Sequence, residues 1–490
     1  MNVPLPLAPS FLAPDAWRSK AGDHYVLLPM RFLRLDPQRY ILTNFVGEYV
    51  VVAASDLNAL VAHQLEMHGP VYNQLKSKHF VLDGDSNAAL DLLACKYRTK
   101  QSLLPRMTSL FLFVVTLRCE HSCPYCQVSR RSHDRRAFDM SRETAARAIE
   151  QVFDSPSPTL KIEFQGGEPL LNFDLIACIV EQVEERNRSA QREIAFVIAT
   201  NLALITDEML EFCRQHRIAI STSLDGPRDL HNANRPRPGG DSHERAVSGI
   251  VRARDVLGED QVSALMTTTA ASLEMPEAIV DEYVRLGFKS IFLRALSPFG
   301  FAIKTGAASS YHVEDWLEFY RRGLQHIIRL NRSGSGIREE YASLLLRKML
   351  TPWPTTYVDL QSPAGIGISC LAYNYDGGVY ASDEARMLAE MRDQTFRLGH
   401  VNSHSYAECV SSLIDTLGAT MTEVMPMCAD CGAQPWCGSD PVFHHATQAD
   451  AVGRKPASAF CRRNMEVIRL LVRLIEDDPE SAEVLQSWIS

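Results

Sequence analysis

Two rhythms of apolar residues divide this chain. From about residue 108 to residue 294, short apolar runs alternate with longer stretches in which apolar positions recur every three or four residues, the mark of strands alternating with helices. Phe111-Leu112-Phe113-Val114-Val115-Thr116 predicts a strand, Asp139-Met140-Ser141 opens an amphipathic helix through Phe153, and Leu160-Lys161-Ile162-Glu163-Phe164 predicts the next strand. A helix over Asn172 to Asn187, a strand over Ile194 to Ile198, a helix over Glu208 to His216 and a strand over Ile218 to Ser223 continue the series. It runs on through strands at Gln261 to Met266 and Ser290 to Arg294. Repeated βα units imply a parallel sheet, curled as a full or partial barrel, with chemistry at the C-terminal ends of its strands.

The flanks read differently. His24-Tyr25-Val26-Leu27-Leu28, Tyr40-Ile41-Leu42-Thr43 and Tyr49-Val50-Val51-Val52 predict strands, Ser55 to Val61 a helix with a capping residue, and Val71 to Leu75 another helix. Gly- and Ser-containing sequence from Asn331 to Gly336 separates the alternating region from a C-terminal part. The expected domains are therefore 1–105, 106–340 and 341–490. A length of 490 residues allows several domains with ample cores.

Composition narrows the classes of function. With 46% hydrophobic and 22% charged residues the chain reads as an ordinary globular protein. Its 50 Lys+Arg against 59 Asp+Glu create no basic field, so a nucleic-acid partner is not expected. No apolar run approaches about 18 residues, so no membrane span is expected. Met1 to Pro6 lacks the features of an export signal, which predicts a cytoplasmic protein. Twelve cysteines in such a chain point to metal rather than disulfides.

Cys119, Cys123 and Cys126 form a C-x3-C-x2-C run directly after the first strand of the alternating series. Three thiolates can hold three irons of a [4Fe–4S] cube and leave the fourth open to a chelating small molecule. A structural zinc is the alternative, which needs a fourth ligand such as His121. Gln165-Gly166-Gly167-Glu168-Pro169 follows the second strand, where two glycines let a ligand approach the backbone and a carboxylate can meet an ammonium. Alone, that segment would read as a turn. Thr200-Asn201 ends the third strand and would also make a good helix start. Asp225, beside Gly226, reads as the cap of a turn, with a catalytic role as the alternative. Arg130, Arg131, Arg135 and Arg136 read as a solvated face, with the reception of an acidic substrate as the alternative. Cys428, Cys431 and Cys437, spaced C-x2-C-x5-C, and the distant Cys461 offer four thiolates to a cluster or to zinc. Cys178 and Cys213 lie on apolar helix faces and, with Cys95 and Cys409, read as core.

Taken together, Leu117 to Arg130, Glu163 to Pro169, Arg235 to Gly240 and Cys437 to Pro441 resemble the radical SAM/SPASM maturases of the His-Xaa-Ser peptide system, and the resemblance covers nearly the whole chain. It implies an α/β fold: a partial (β/α)6 TIM-like radical SAM barrel, an N-terminal winged-helix-like α+β unit and a C-terminal SPASM/twitch-type iron–sulfur domain. The N-terminal unit would recognise peptide or serve as a structural cap. By the same resemblance the open iron of the Cys119/Cys123/Cys126 cluster takes S-adenosylmethionine (SAM), and Tyr125 lies near its adenine. Gly166, Gly167 and Glu168 would meet the methionine amino group, Thr200 and Asn201 the ribose, and Ser223 and Arg235 the carboxylate. Cys428, Cys431, Cys437 and Cys461 would ligate one auxiliary [4Fe–4S] cluster.

The family pattern has a second auxiliary cluster, but Ser382 and Pro441 stand where it has cysteines. That cluster is expected to be absent; Cys370 with Asp383 or Asp440 would be its remaining donors. Asp383 aligns with the general base of sulfatase-maturase-like enzymes. The implied activity is reductive cleavage of SAM to a 5′-deoxyadenosyl radical and oxidative modification, by crosslinking side chains, of a ribosomally made precursor peptide with His-Xaa-Ser repeats. Partners implied are that peptide, a small accessory protein, a second radical SAM protein and an electron donor such as flavodoxin or ferredoxin. A formylglycine-forming maturase and a non-catalytic peptide-binding metal protein are the alternatives.

Overall fold

The computed structural model describes residues 25–83 and 87–489, so His24 and the export reading at residues 1–6 lie outside the described residues. The chain divides into two compact units, one up to Arg98 and one from Thr99 onward.

In the first unit, β1 (Met30–Arg34), β2 (Arg39–Asn44) and β3 (Tyr49–Ala53) make an antiparallel sheet in that order. Leu57 and Leu60 from α1 (Ala54–Val61) and Tyr72 and Leu75 from α2 (Pro70–Ser77) pack against Leu42, Val50 and Val52 to form its core. The strand predicted at 24–28 is confined to Val26–Leu27, which pairs with Val81–Leu82. Ser55 is not a cap: α1 begins after Ala53, with no side-chain cap bond. Strand β1 escapes sequence reading because Leu33 is its one buried side chain, between arginines and an exposed Phe32. Helix α3 (Ala88–Lys100) buries none of its residues, so no apolar stripe announces it.

The second unit begins the predicted alternation with β4 (Leu110–Thr116), α4 (Arg142–Asp154), β5 (Thr159–Gly166) and α5 (Phe173–Ala190). It continues with β6 (Glu193–Thr200), α6 (Asp207–Gln215), β7 (Ile218–Ser223), α7 (Ser242–Leu257), β8 (Val262–Thr267), α8 (Pro276–Arg285) and β9 (Leu293–Arg294). Ser141 caps α4 by accepting from Thr144 N at 3.0 Å, as the sequence predicts. The predicted strand at 290–294 is split: Ser290–Ile291 pairs with Arg338–Glu339, and β9 pairs with β8. Helices α9 (Val313–Arg332) and α10 (Glu340–Leu350) follow, then β10 (Cys370–Tyr373), β11 (Gly378–Tyr380), α11 (Asp383–Glu390), β12 (Arg397–His400), α12 (Pro441–Gln448) and α13 (Ala459–Asp477). Strands β4 to β9 are parallel, β10 adds to β4 in parallel, and β11 and β12 complete a nine-stranded mixed sheet of order β9-β8-β7-β6-β5-β4-β10-β11-β12. The edges β9 and β12 do not pair, so the barrel is partial.

Strand β5 alternates strictly: Leu160, Ile162, Phe164 and Gly166 are buried, while Lys161, Glu163 and Gln165 line internal cavities. Small inward residues on the next strands, Ala195 and Ala199 of β6 and Ser221 and Ser223 of β7, leave space where a closed barrel would be filled by branched side chains. The sheet is therefore a chamber wall. Among the described residues no helix is long and apolar enough to cross a membrane.

Candidate active site

The cysteine loop leaves the C-terminal end of β4 and is gripped from several sides. Arg118 pairs through two nitrogens with Asp139 at 2.7 and 2.8 Å and donates to Leu171 O at 2.7 Å. Ser122 N donates to Pro236 O at 2.7 Å, and Phe301 N donates to Cys126 O at 2.7 Å. From β5, Gly167 N donates to Thr116 O at 2.8 Å and Glu168 N to Arg118 O at 2.7 Å. A Cβ at Gly166 would lie 2.0 Å from Thr116 O, and one at Gly167 would lie 2.3 Å from Arg118 O. What comes close to these glycines on their Cβ side is thus the end of β4 and the start of the cysteine loop. Gly300, which sequence reading missed, does the same at the loop's far end: its φ is +60°, and a Cβ there would lie 2.3 Å from Gln127 O.

Above the strand ends lies a cavity of about 270 Å³. Cys119, Cys123, Cys126, Tyr125, Gly166, Gly167, Thr200, Asn201, Ser223, Arg235 and Asp383 all line it. Glu168 does not. Its buried carboxylate accepts from Thr200 Oγ1 at 2.6 Å, Asn201 N at 2.9 Å and Leu170 N at 3.0 Å. Burial, and then the charge of Glu120, push its pKa up to about 8. The carboxylate is placed to set Thr200 and Asn201, while Asn201 Nδ2 donates to Glu120 Oε1 at 2.9 Å.

Asp225 is fully buried behind Arg235, accepting from its Nε at 3.0 Å and its Nη2 at 3.1 Å. Burial works against its ionisation, but the Arg235 guanidinium prevails and holds its pKa below the ordinary carboxylate value. Tyr125 donates its hydroxyl to Asp225 Oδ2 at 2.6 Å, and the guanidinium carbon of Arg235 stands 5.4 Å from the Tyr125 ring centroid. Asp225 is therefore the anchor of two cavity residues, not the turn cap the sequence suggested. Its Asp-Gly context concealed this, since Arg235 lies ten positions away.

Asp383 opens α11 and pairs with Arg386 at 2.9 Å; the buried Arg386 also donates to Val128 O at 3.2 Å. Asp383 borders both the upper cavity and a chamber of about 640 Å³ within the barrel. Ser382 caps α11, accepting from Ala385 N at 3.1 Å, and Pro441 opens α12 behind the cap Asp440. The two positions without cysteine thus start helices. Burial, and then the charge of Asp359, push the Asp440 carboxyl well above its usual range. The arginines do not form one face: Arg130 lines the cavity, Arg131 pairs with Glu390 at 2.5 Å, and Arg135 and Arg136 are exposed. Cys213 and Cys409 are buried as expected, whereas Cys95 is exposed on α3 and Cys178 is only half-buried, accepting from Arg142 at 3.1 Å.

Both thiol sets are partly buried. No cysteines among the described residues are joined by a disulfide. Burial raises the Cys123 thiol to about 12, and burial followed by the neighbouring thiols raises Cys461 to about 12. Cys428 is raised to about 11 by burial, and its partly offsetting neighbours include Lys455. Thiols raised in this way stay protonated at neutral pH, and a bound cation would be needed to hold these sulfurs as thiolates. Among the described residues, one set of three His, Cys, Asp or Glu donors comes within 4.8 Å of one another: Cys119, Glu120 and His121. Neither the three loop thiols nor the four C-terminal thiols form such a set.

Residues 113–282 match the model of the Radical SAM superfamily. An uncharacterized protein of Methanocaldococcus jannaschii is 29% identical over 186 residues, 38% of this chain and 61% of its own length. The radical SAM cyclopropyl synthase TigE of Paramaledivibacter caminithermalis is 23% identical over 234 residues, 45% of each chain. The chain thus spans about three fifths or less of the length of these relatives. The solved structure of native anSMEcpe with bound AdoMet superposes with a TM-score of 0.60 at 17% identity, covering 78% of this chain and 99% of that one. The crystal structure of Streptococcus suis SuiB bound to precursor peptide SuiA gives 0.52 at 14% identity, covering 89% and 99%.

Proposed function

We propose that the chain, whose residues 113–282 match the Radical SAM superfamily, is a radical SAM enzyme that cleaves SAM reductively and oxidatively modifies a precursor peptide, crosslinking side chains in His-Xaa-Ser repeats. The convergence of three cysteines, Gly166, Gly167, Thr200, Asn201, Ser223 and Arg235 on one cavity carries this reading. Cys119, Cys123 and Cys126 would hold the [4Fe–4S] cluster. Tyr125, Gly166, Gly167, Thr200, Asn201, Ser223 and Arg235 would hold SAM, with Glu168 orienting Thr200 and Asn201 and Asp225 orienting Tyr125 and Arg235. Bound there, cluster and SAM supply a 5′-deoxyadenosyl radical, which abstracts hydrogen atoms.

The chain's own residues would do the rest. Arg235 keeps its Nη1 edge free of Asp225, so it can meet a carboxylate while its charge stays fixed in place. Asp383, at the junction of cavity and chamber, is the candidate base for the proton released as a new bond forms. The chamber walls would keep water and other hydrogen donors from a carbon radical. Cys428, Cys431, Cys437 and Cys461 would hold an auxiliary [4Fe–4S] cluster, a group that could supply one-electron redox chemistry there. A flavodoxin or ferredoxin of the cytoplasm would supply the first electron, and the N-terminal part, a small accessory protein and a second radical SAM protein would present the peptide.

Kinship with a cyclopropyl synthase and fold likeness to a peptide-bound SuiB support a peptide substrate. The test is anaerobic reconstitution with iron and sulfide, reduction, and incubation with SAM and a synthetic His-Xaa-Ser peptide. Expected are 5′-deoxyadenosine and a peptide that has lost a pair of hydrogens and whose proteolytic fragments stay joined. An aldehyde on one Cys or Ser would instead identify a formylglycine-forming maturase. Iron-loaded, reduced protein that makes no 5′-deoxyadenosine would leave a peptide-binding metal protein.

A further inference from the structure

Resting on the reading of Cys428, Cys431, Cys437 and Cys461 as ligands of a second cluster, we propose that Asn464 and Tyr341 are positioning residues that set the reduction potential of that centre. Asn464 lies on α13 one turn beyond Cys461, is fully buried, and donates Nδ2–H to Cys437 Sγ at 3.3 Å. Its amide oxygen accepts from the Tyr341 hydroxyl, which arrives from α10. With a donor fixed on the oxygen side, the amide is held with its N–H toward sulfur. Lys348, two turns further along α10, donates Nζ to Cys437 O at 2.7 Å and to Leu360 O at 2.5 Å, fixing the backbone that carries the same thiol. Three side chains from two helices thus converge on one cysteine of the four.

An N–H donor to a thiolate stabilises negative charge on sulfur, and it stabilises more charge better. When such a centre takes up one electron no atom is transferred; charge on the sulfurs grows, while Asn464 and Tyr341 keep their protons. The hydrogen bond is therefore stronger in the reduced state and raises the potential. Its placement links it to the reaction chamber. The Tyr341 ring stacks on Phe292 at 5.9 Å and 9° and meets Tyr357 at 6.4 Å, and both neighbours line the chamber. Arg294, two residues after Phe292, reaches the cysteine-loop cavity.

The experiment is an anaerobic redox titration, followed by electron paramagnetic resonance, of the full chain carrying Cys119→Ser, Cys123→Ser and Cys126→Ser, so that the C-terminal centre is read alone. Asn464→Leu, which keeps the heavy-atom count and branching but lacks the donor, is expected to disfavour reduction about tenfold, a fall of 59 mV. Tyr341→Phe, which keeps the ring stack but frees the amide, is expected to shift the potential the same way by less. Both variants titrating at the parental potential with full iron overturn the proposal. If Asn464→Leu fails to hold iron, Tyr341→Phe decides alone, and an unmoved potential there is fatal. Metal analysis of the parent separates the two levels: zinc, or no iron, removes the cluster reading on which the proposal stands.

Discussion

Replacing Gly167 by alanine tests how the cysteine loop is seated. The new Cβ would lie 2.3 Å from Arg118 O and 2.7 Å from both Arg118 C and Leu117 O, all backbone atoms that no rotamer change can move aside. Restoring ordinary contact needs a retreat of roughly 1 Å, an overpacking strain that costs about 1–3 kcal/mol. The same retreat lengthens the bonds from Gly167 N to Thr116 O and from Glu168 N to Arg118 O, now 2.8 and 2.7 Å. At about 1 kcal/mol each, they bring the total to about 3–5 kcal/mol. Because the displaced segment carries the three thiols, a shift of this size should cost 5′-deoxyadenosine formation about 100-fold or more. Iron content, urea unfolding and 5′-deoxyadenosine yield are to be measured in parallel. Gly418→Ala is the control, since nothing lies within 4 Å of its added Cβ in the helix Ile414–Ala419; it should be neutral or slightly stabilising. A Gly167→Ala protein with parental iron, unfolding midpoint and yield would refute the packing argument.

Asp225→Asn should leave Arg235 with a buried charge only partly compensated, at a cost of about 3–5 kcal/mol, and should raise the KM for SAM; an unchanged KM and unfolding midpoint would show that Asp225 does not anchor Arg235. Glu339 is buried at the junction of β9, α9 and α10, where it accepts from Leu293 N at 3.1 Å, Tyr320 Oη at 2.5 Å and Ala342 N at 2.6 Å. Burial raises its pKa to about 7, so its stabilising contribution is complete below the unfolded value near 4.5 and is lost as pH rises through about 7. Urea titrations at about pH 5 and about pH 9 should show that decline in the parent and a flatter response in Glu339→Gln; equal slopes would exclude Glu339 as its source.

The alternating strands and helices were legible because each carries its own periodicity. Strand β7 shows it plainly: Ile218, Ile220 and Thr222 are buried in alternation with half-exposed Ala219, Ser221 and Ser223. The site was legible at the ends of those strands because cysteine spacing and glycine pairs are local signals. Relationships across the chain were not. Asp225 read as a turn residue because its partners, Tyr125 and Arg235, lie on other elements. Asn464 carries no motif at all, yet it meets Cys437 and Tyr341, 27 and 123 positions away. The addition of β10 to β4 joins Cys370 to Leu110, a pairing no periodicity can announce. Positions without cysteine, Ser382 and Pro441, were visible as departures from a pattern, but their service at helix starts needed the structure.

That added strand also has a practical meaning. Leu371 and Tyr373 stand in register beside Phe111 and Phe113, and the Tyr373 ring meets that of Phe113 at 5.2 Å. A protein cut after residue 340 would bare an apolar, unpaired rim of β4, the kind of surface that recruits other chains into aggregates. Exchanging C-terminal halves between relatives would likewise exchange a wall of the chamber, so a graft meant to change only the thiol-rich C-terminal part should change the shape of the chamber as well.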